Sequence, residues 1–344
     1  MSRRSNSVTI RDVAKRAGVS VATVSRYINN SAPVSKEVGD RLESVMAELR
    51  YVPHSVARNL ATRKTWVVGL LLTNLHNDFF APLLAGIESV VRENQYNLLV
   101  ATCRGKDWHG FSPPVGPHNS DGLLVYADSL SNEYIEILYE KEFPFVLIHR
   151  TPPKSMRVPS VTVENRNASR KIVEHLIEVH GKRRIIFMRG PLDQEDSYWR
   201  EQGYQTALIT HGIAVDPALI LDGGFEREIA YANFKQYLEK TASNSFDAVF
   251  TGDDDAAIGV LDALQEVGCR VPEDVAVVGF DDSRMSPFLD PPLTTVRAPT
   301  EEVGRVATQR LFNLLSNADQ SYETTLLSTE IVIRQSCGCN QDIA

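Results

Sequence analysis

The sequence predicts a small all-α helix-turn-helix head, a short basic connector, and a large α/β body made of two doubly wound parallel-sheet lobes. Three observations carry that prediction. Apolar residues recur at helical spacing over residues 9 to 50, charge divides sharply between the two ends, and Val/Ile/Leu runs alternate with helical patterns from Trp66 onward. From Met1 to Lys64, twelve Lys/Arg face five Asp/Glu, a net of +7; the whole chain is −8, so the remainder carries −15. A basic head on an acidic body assigns contact with a polyanion to the head alone.

In TIRDVAKRAG, Thr9 is placed to cap a helix whose Ile10, Val13, Ala14 and Ala17 share one face, and Gly18 ends it. Ser20 caps a second helix, VATVSRYINN. Its Val24 and Ile28 point inward, which leaves Val21, Ala22, Ser25, Arg26 and Asn29 outside. Ser35 starts a third, with Val38, Leu42, Val45, Met46 and Leu49 inward. Two helices joined by a short Gly-containing turn and braced by a third form a helix-turn-helix unit. Such a unit lays its second helix in the major groove of DNA. Arg26 can pair two guanine acceptors at once, and Val21 and Ala22 suit a thymine methyl or close approach. Thr9, Ser20, Thr23, Ser25 and Asn29 are candidates for phosphate contacts, which set register. A generic three-helix bundle with a solvated basic face is the competing reading.

The connector SVARNLATRKT, residues 55 to 65, carries a stripe of Val56, Ala57, Leu60 and Ala61 at helical spacing. That stripe is too narrow for a core, and the segment is too short to hold a helix alone. Beyond it, VVGLLL (67 to 72), NLLVA (97 to 101), GLLVY (122 to 126) and FVLIH (145 to 149) form one set of strands. RRIIFM (183 to 188), DAVF (247 to 250) and VAVVGF (275 to 280) form another. Helical patterns separate most of them, as at Pro82 to Asn94, Ala168 to Val179, Arg200 to Thr210 and Ala256 to Val267. Continuous apolar runs bounded by helices indicate parallel strands buried on both faces. Ligands of such sheets sit beyond the carboxyl ends of the strands, which between two lobes is the cleft.

Several classes are disfavoured. There is no G-x-x-x-x-G-K-[ST] loop, no G-x-G-x-x-G after a strand and no G-x-S-x-G elbow, so an enzyme is not expected. The start, MSRRSNSV, lacks an apolar signal region and no apolar run reaches membrane-spanning length, so a cytoplasmic protein is expected. The aspartates at 253–255, 281 and 282 lack a cation-binding motif. Cys337 and Cys339, one residue apart, read as reduced and structurally incidental. Neither a metal nor another cofactor is expected.

TIRDVAKRAGVSVATVSRYINN closely resembles the opening of the lactose/galactose-repressor family of bacterial transcription regulators. The resemblance continues through YVPHSVARNLATRKT and, more loosely, to IVIRQSC. It implies residues 1–52 as the DNA-binding domain, 53–65 as a hinge helix and 66–344 as a two-lobed effector-binding and dimerisation body similar to periplasmic sugar-binding proteins. Lobe 1 would span about 66–160 and 284–325, lobe 2 about 161–283 and 326–344, with three crossings between them. The hinge would form when a homodimer sits on operator DNA. Val56 would then pack on its partner's copy, and Leu60, with Ala57 beside it, would enter the minor groove as a wedge. An ordinary linker with Leu60 docked on the body is the alternative.

For the cleft, the resemblance implies effector contacts by Phe79 and Phe80, with Asn77 just before them, and by Arg200. Tyr198 or Trp199 would stack on a ring face. Asp253 falls where many relatives carry asparagine, Asp254 matches the usual next aspartate, Asp281 matches the family acid, and His149 falls where an acid or glycine is common. Carboxylates and a guanidinium suit the hydroxyls and ring oxygens of a sugar or sugar derivative. Asp253, Asp254 and Asp255 are in part readable as helix N-caps instead. One stretch departs from the pattern. CRGKDWHGFSPPVGPHNSDG stands where relatives have a charged helix, and its prolines and glycines disfavour one. Trp108, His109 and Phe111 could serve the cleft mouth, a partner subunit or a bare sheet edge. No heptad tail follows, which favours a dimer over a tetramer.

Overall fold

The computed structural model describes residues 8–29, 32–51, 64–75, 78–104, 113–241, 245–318 and 321–339. The chain divides into two units, Met1–Trp66 and Val67–Ala344. Val56, Ala57, Leu60 and Asn77 lie outside the described residues, as do Trp108, His109 and Phe111.

Three helices build the first unit: α1 (Ile10–Ala17), α2 (Val21–Asn29) and α3 (Lys36–Glu48). The Asp12 carboxylate accepts from both the Thr9 amide, at 2.8 Å, and the Thr9 hydroxyl, at 2.7 Å, tying down the first turn of α1. Gly18 closes α1 in the left-handed region at φ 66, where a β-carbon would be strained. Ser20 Oγ then accepts from the Thr23 amide at 3.1 Å and starts α2. Val13, Ala14, Ala17, Val24, Leu42 and Val45 form the core, with Ile28, Val38, Met46 and Leu49 packed around it. All are residues whose spacing places them inward.

The second unit holds two separate parallel sheets. The first contains β1 (Val67–Leu72), β2 (Asn97–Thr102), β3 (Gly122–Tyr126), β4 (Phe145–Ile148), β5 (Ser160–Val163) and β11 (Thr324–Leu327), in the order β11-β5-β4-β3-β1-β2. Its helices are α4 (Phe80–Glu93), α5 (Asn132–Glu140) and α10 (Thr300–Leu315). The second contains β6 (Ile185–Arg189), β7 (Ile220–Asp222), β8 (Ala248–Thr251) and β9 (Ala276–Val278), in the order β7-β6-β8-β9. Its helices are α6 (Asn165–Glu178), α7 (Glu195–Thr210), α8 (Arg227–Lys240) and α9 (Asp254–Glu266). An antiparallel pair, β10 (Thr295–Arg297) with β12 (Glu330–Val332), lies where the chain passes between the sheets. It also passes between them at Val163–Asn165.

The central strands are buried on both faces, as continuous apolar runs require. Strands β5, β7 and β11 escaped the sequence reading because SVTV, ILD and TTLL are short or mixed in polarity. Between β2 and β3, the described residues 113–121 form turns and no helix. Val115, 1 % exposed, joins the core formed by Leu71, Leu123 and Val125, so this end of the Pro/Gly-rich stretch covers the sheet.

Candidate functional site

On the head, α2 presents Val21, Ala22 and Arg26 to solvent, while Thr23 and Ser25 are half-buried. Val21 is 42 % exposed, an apolar side chain standing clear at the start of the helix. The Ser20 and Thr23 hydroxyls contact each other at 2.9 Å, and Thr9 is engaged with Asp12. These three hydroxyls therefore hold the fold of the head, and those of Thr9 and Ser20 are on exposed residues.

In the body, the polar cleft residues come from loops that leave the carboxyl ends of parallel strands. Phe79 and Phe80 follow β1, His149 follows β4, Asp253 follows β8 and Asp281 follows β9, while Arg200 stands one turn into α7. Phe79, Phe80, Arg200, Asp253 and Asp281 line one cavity of about 330 Å³, together with Asn74, Tyr126, Gln194, Asp196 and Phe225. Phe79, Phe80 and Tyr126 form its aromatic wall, with ring centroids 5.1–6.0 Å apart.

Arg200 organises the polar side. It is 3 % exposed and its guanidinium lies 3.7 Å over the Phe280 ring. Nε donates to Asn165 Oδ1 at 2.9 Å, Nη1 donates to the Gly252 carbonyl, and Nη2 reaches Asp281 at 3.3 Å and Asp196 at 3.8 Å. Asp196 also accepts from Asn165 Nδ2 at 2.7 Å and lies 2.7 Å from His149 Nδ1, off the line of a hydrogen bond. Burial drives the Asp196 carboxyl up, but His149, Arg200 and Asn165 outweigh it and hold it below the usual carboxylate range.

The other carboxyls move the opposite way. Burial, then the neighbouring Asp281 charge, pushes Asp253 well above its ordinary value. Burial also raises Asp281, against the pull of Arg200 and His149. Asp254 is pushed up to about 7 by burial and Asp281, although Ser286, Thr295 and Ser283 all donate to it. Both ring nitrogens of His149 and Asn74 Oδ1 are among the buried polar atoms that have no hydrogen-bond partner among the described residues. His149 and Asp281 also adopt left-handed backbone, at φ 55 and 107. Orphaned polar atoms and strained backbone together make this a candidate ligand site.

Asp253 is the residue that caps α9, accepting from the Ala256 amide at 2.9 Å, so it serves cap and cavity together. Asp254 caps nothing and instead fastens the 283–295 segment, while Asp255 accepts from the Arg227 amide. Tyr198 stands away from the first cavity. It is 54 % exposed and lines a neighbouring space of about 790 Å³ with His149, Arg150 and Gln194. Trp199 is tied to Glu195 through its indole N–H at 3.0 Å. Sequence reasoning missed Asn165, Asp196, Tyr126, Phe225 and Phe280. Their only linear signal is position at a strand end or helix start.

Residues 9–54 match the model of bacterial regulatory proteins of the lacI family, and residues 173–337 match a periplasmic binding protein-like domain. The ribose operon repressor of Haemophilus influenzae is 33 % identical over 95 % of this chain and 98 % of its own length. The chain belongs to the lacI family. Catabolite control protein A of Priestia megaterium is 31 % identical over 96 % of this chain and 99 % of its own. A lac repressor dimer bound to operator and an anti-inducer superposes with a TM-score of 0.80, 25 % identity and 96 % of this chain against 99 % of that one. A complex of the regulator CelR with cellobiose gives 0.69 at 30 % identity, over 96 % and 99 %. This lacI-family member is thus a DNA-binding transcriptional regulator and not an enzyme. Among its described residues, no helix is long and apolar enough to cross a membrane.

Proposed function

We propose that the protein is a homodimeric repressor whose operator affinity is set by a sugar or sugar derivative held in the Arg200 cavity. The observation that carries the ligand class is the mixed lining. An aromatic wall of Phe79, Phe80 and Tyr126 faces Arg200, Asp196, Asp253 and Asp281, which offers a ring face on one side and paired acceptors and donors on the other. The orphaned Asn74 Oδ1 supplies a further polar atom for a hydroxyl in that cavity, and His149, beside the neighbouring space, has orphaned ring nitrogens of its own. One relative named a ribose operon repressor and another solved in complex with cellobiose support the same class.

On DNA, α2 of each protomer reads one half of a near-palindromic operator, with Arg26 at a guanine and Val21 and Ala22 at close approach. Thr9, Ser20, Thr23, Ser25 and Asn29 set register on phosphates. Between the heads, Val56 of each hinge packs on its partner's copy, and Leu60, beside Ala57, wedges into the minor groove. A corepressor-type regulator for a purine is the second reading, favoured by the aromatic wall, which can also stack a nucleobase.

Purified protein is incubated with random duplex DNA, and the bound fraction is sequenced. The enriched sites then serve as probe for sugars, sugar acids and nucleobases. A near-palindrome with a flexible pyrimidine–purine step at its centre, released by a sugar, is the expected outcome. Enrichment only in the presence of a nucleobase selects the corepressor reading. No enrichment under either condition removes α2 as the reader.

A further inference from the structure

Away from the cleft, the C-terminal tail folds back onto the second lobe. Ser336 stitches it there: its hydroxyl donates to the Val277 carbonyl at 2.6 Å and accepts from the Thr294 amide at 2.8 Å. Cys337 follows, 1 % exposed, and Gly338 takes φ 103, which turns Cys339 back toward the same spot. Facing the two thiols are His175, in the last turn of α6, and His180, just beyond it. One donor atom from each of the four residues lies within 4.8 Å of every other. Cys339 Sγ is 3.3 Å from His180 Nε2 and 3.7 Å from His175 Nε2, and the two imidazoles meet edge to face at 5.0 Å.

We propose that His175, His180, Cys337 and Cys339 form a closed four-ligand zinc site that pins the C-terminal tail to α6. Two imidazole nitrogens and two sulfurs are a donor set that selects zinc among the common divalent ions, and tetrahedral geometry goes with it. Zinc bond lengths to nitrogen and sulfur put the edges of such a tetrahedron at about 3.3–3.8 Å. The two Cys339–histidine contacts, at 3.3 and 3.7 Å, already fall there, and no other separation has to close by more than about 1 Å. A single thiol–imidazole hydrogen bond accounts for one such pair; it gives no reason for two of each to converge.

The surroundings suit the ion as well. Thr294 Oγ1 donates to Cys337 Sγ at 3.2 Å, a bond that a thiolate keeps and strengthens. The Cys337 contact to the Arg334 carbonyl, at 3.5 Å, needs the thiol proton and is given up. Binding thus forms two zinc–sulfur and two zinc–nitrogen bonds and releases two thiol protons to solvent. Four protein ligands leave no position for a substrate, so the role is structural. The spacing His-x4-His is of a zinc-binding kind, whereas Cys-x-Cys is not, and more than 150 residues separate the two halves. That separation is why the tail cysteines read as incidental in the sequence alone.

The full chain, purified reduced, is stripped with a chelator and titrated with cobalt(II) and with zinc. The expected result is one tightly held ion per chain. Cobalt should give the intense visible bands of a tetrahedral ion and a thiolate-to-cobalt charge-transfer band. Both signals should vanish in Cys339→Ser and in His175→Gln, and zinc should raise the Tm of the parent but not of the variants. Zinc should also shield two thiols from an aqueous thiol reagent until chelator is added, a reading that needs no variant. Octahedral cobalt, unshielded thiols, or undiminished binding in both variants would overturn the site. So would a Cys337–Cys339 disulfide that persists after reduction. The repressor reading is untouched by either result.

Discussion

Asp281 concentrates the chemistry of the cleft in one residue. It holds a left-handed backbone at φ 107, faces Arg200 at 3.3 Å and lines the cavity proposed for the effector. Asparagine tolerates the same backbone and keeps one acceptor. Asp281→Asn should therefore leave the Tm within a few degrees of the parent while effector affinity falls about tenfold or more, the worth of a hydrogen bond to a charged group. Isothermal titration alongside thermal melts reads both. An unchanged affinity would move the effector elsewhere. Asp254 makes a separate, pH-dependent prediction. Its folded value of about 7 lies above its ordinary 3.8, so the folded state binds the extra proton. The stability that this proton contributes is complete below about pH 4 and is lost as pH rises through 7. Asp254→Asn should flatten the fall in Tm between pH 5 and pH 8; the same slope in both proteins would place that titration on another group.

At the scale of elements, helix packing sets the terms. α4 and α10 cross at Gly86 and Gly304, where a β-carbon on Gly86 would stand 1.9 Å from the Glu301 carbonyl oxygen and one on Gly304 2.4 Å from that of Leu83. Backbone cannot yield as a side-chain tip can. Gly86→Ala should cost about 1–3 kcal/mol as overpacking, read as a shift in urea midpoint. No shift would mean that the two helices separate at little cost. In the head, Arg26→Ala should relax discrimination at one operator position by about 1–3 kcal/mol while non-specific, salt-sensitive binding persists. Leu60→Ala should likewise lose operator preference without losing affinity for random duplex. Preference retained in competition binding would take the wedge out of the mechanism.

For the molecule as a whole, the two functions must be linked by a coupling free energy, and that linkage is reciprocal. If the effector lowers operator affinity by some factor, operator DNA must lower effector affinity by the same factor. Titrating effector with and without saturating operator tests this directly. Equal effector affinities in both titrations, despite a shift in operator binding, would show that the ligand acts through some site other than the one titrated.

Local order was legible in the linear pattern. Val13, Ala17, Val24 and Leu42 recur at helical spacing and all form the core of the head, because each helix buries only one stripe. Runs such as VVGLLL and GLLVY became β1 and β3 because a strand buried on both faces admits only apolar residues. The cleft was legible only in part. Arg200, Asp253 and Asp281 stand at recognisable strand and helix ends, but Asn165 and Asp196 acquire meaning only from Arg200 and His149 beside them. The division of labour within FTGDDD was likewise invisible. Asp253 caps α9 and Asp254 clamps the 283–295 segment because each points to a different neighbour, which composition does not encode. The sequence by itself determined the strongly periodic helices and the continuous apolar strands, together with their buried faces, since burial periodicity is a local property; short or mixed strands such as β5, β7 and β11 left no such trace. Only the tertiary structure decided which distant polar atoms meet, as at Arg200 or among His175, His180, Cys337 and Cys339. Those meetings depend on how strands order within each sheet and where the chain crosses between them, and neither leaves a periodic trace.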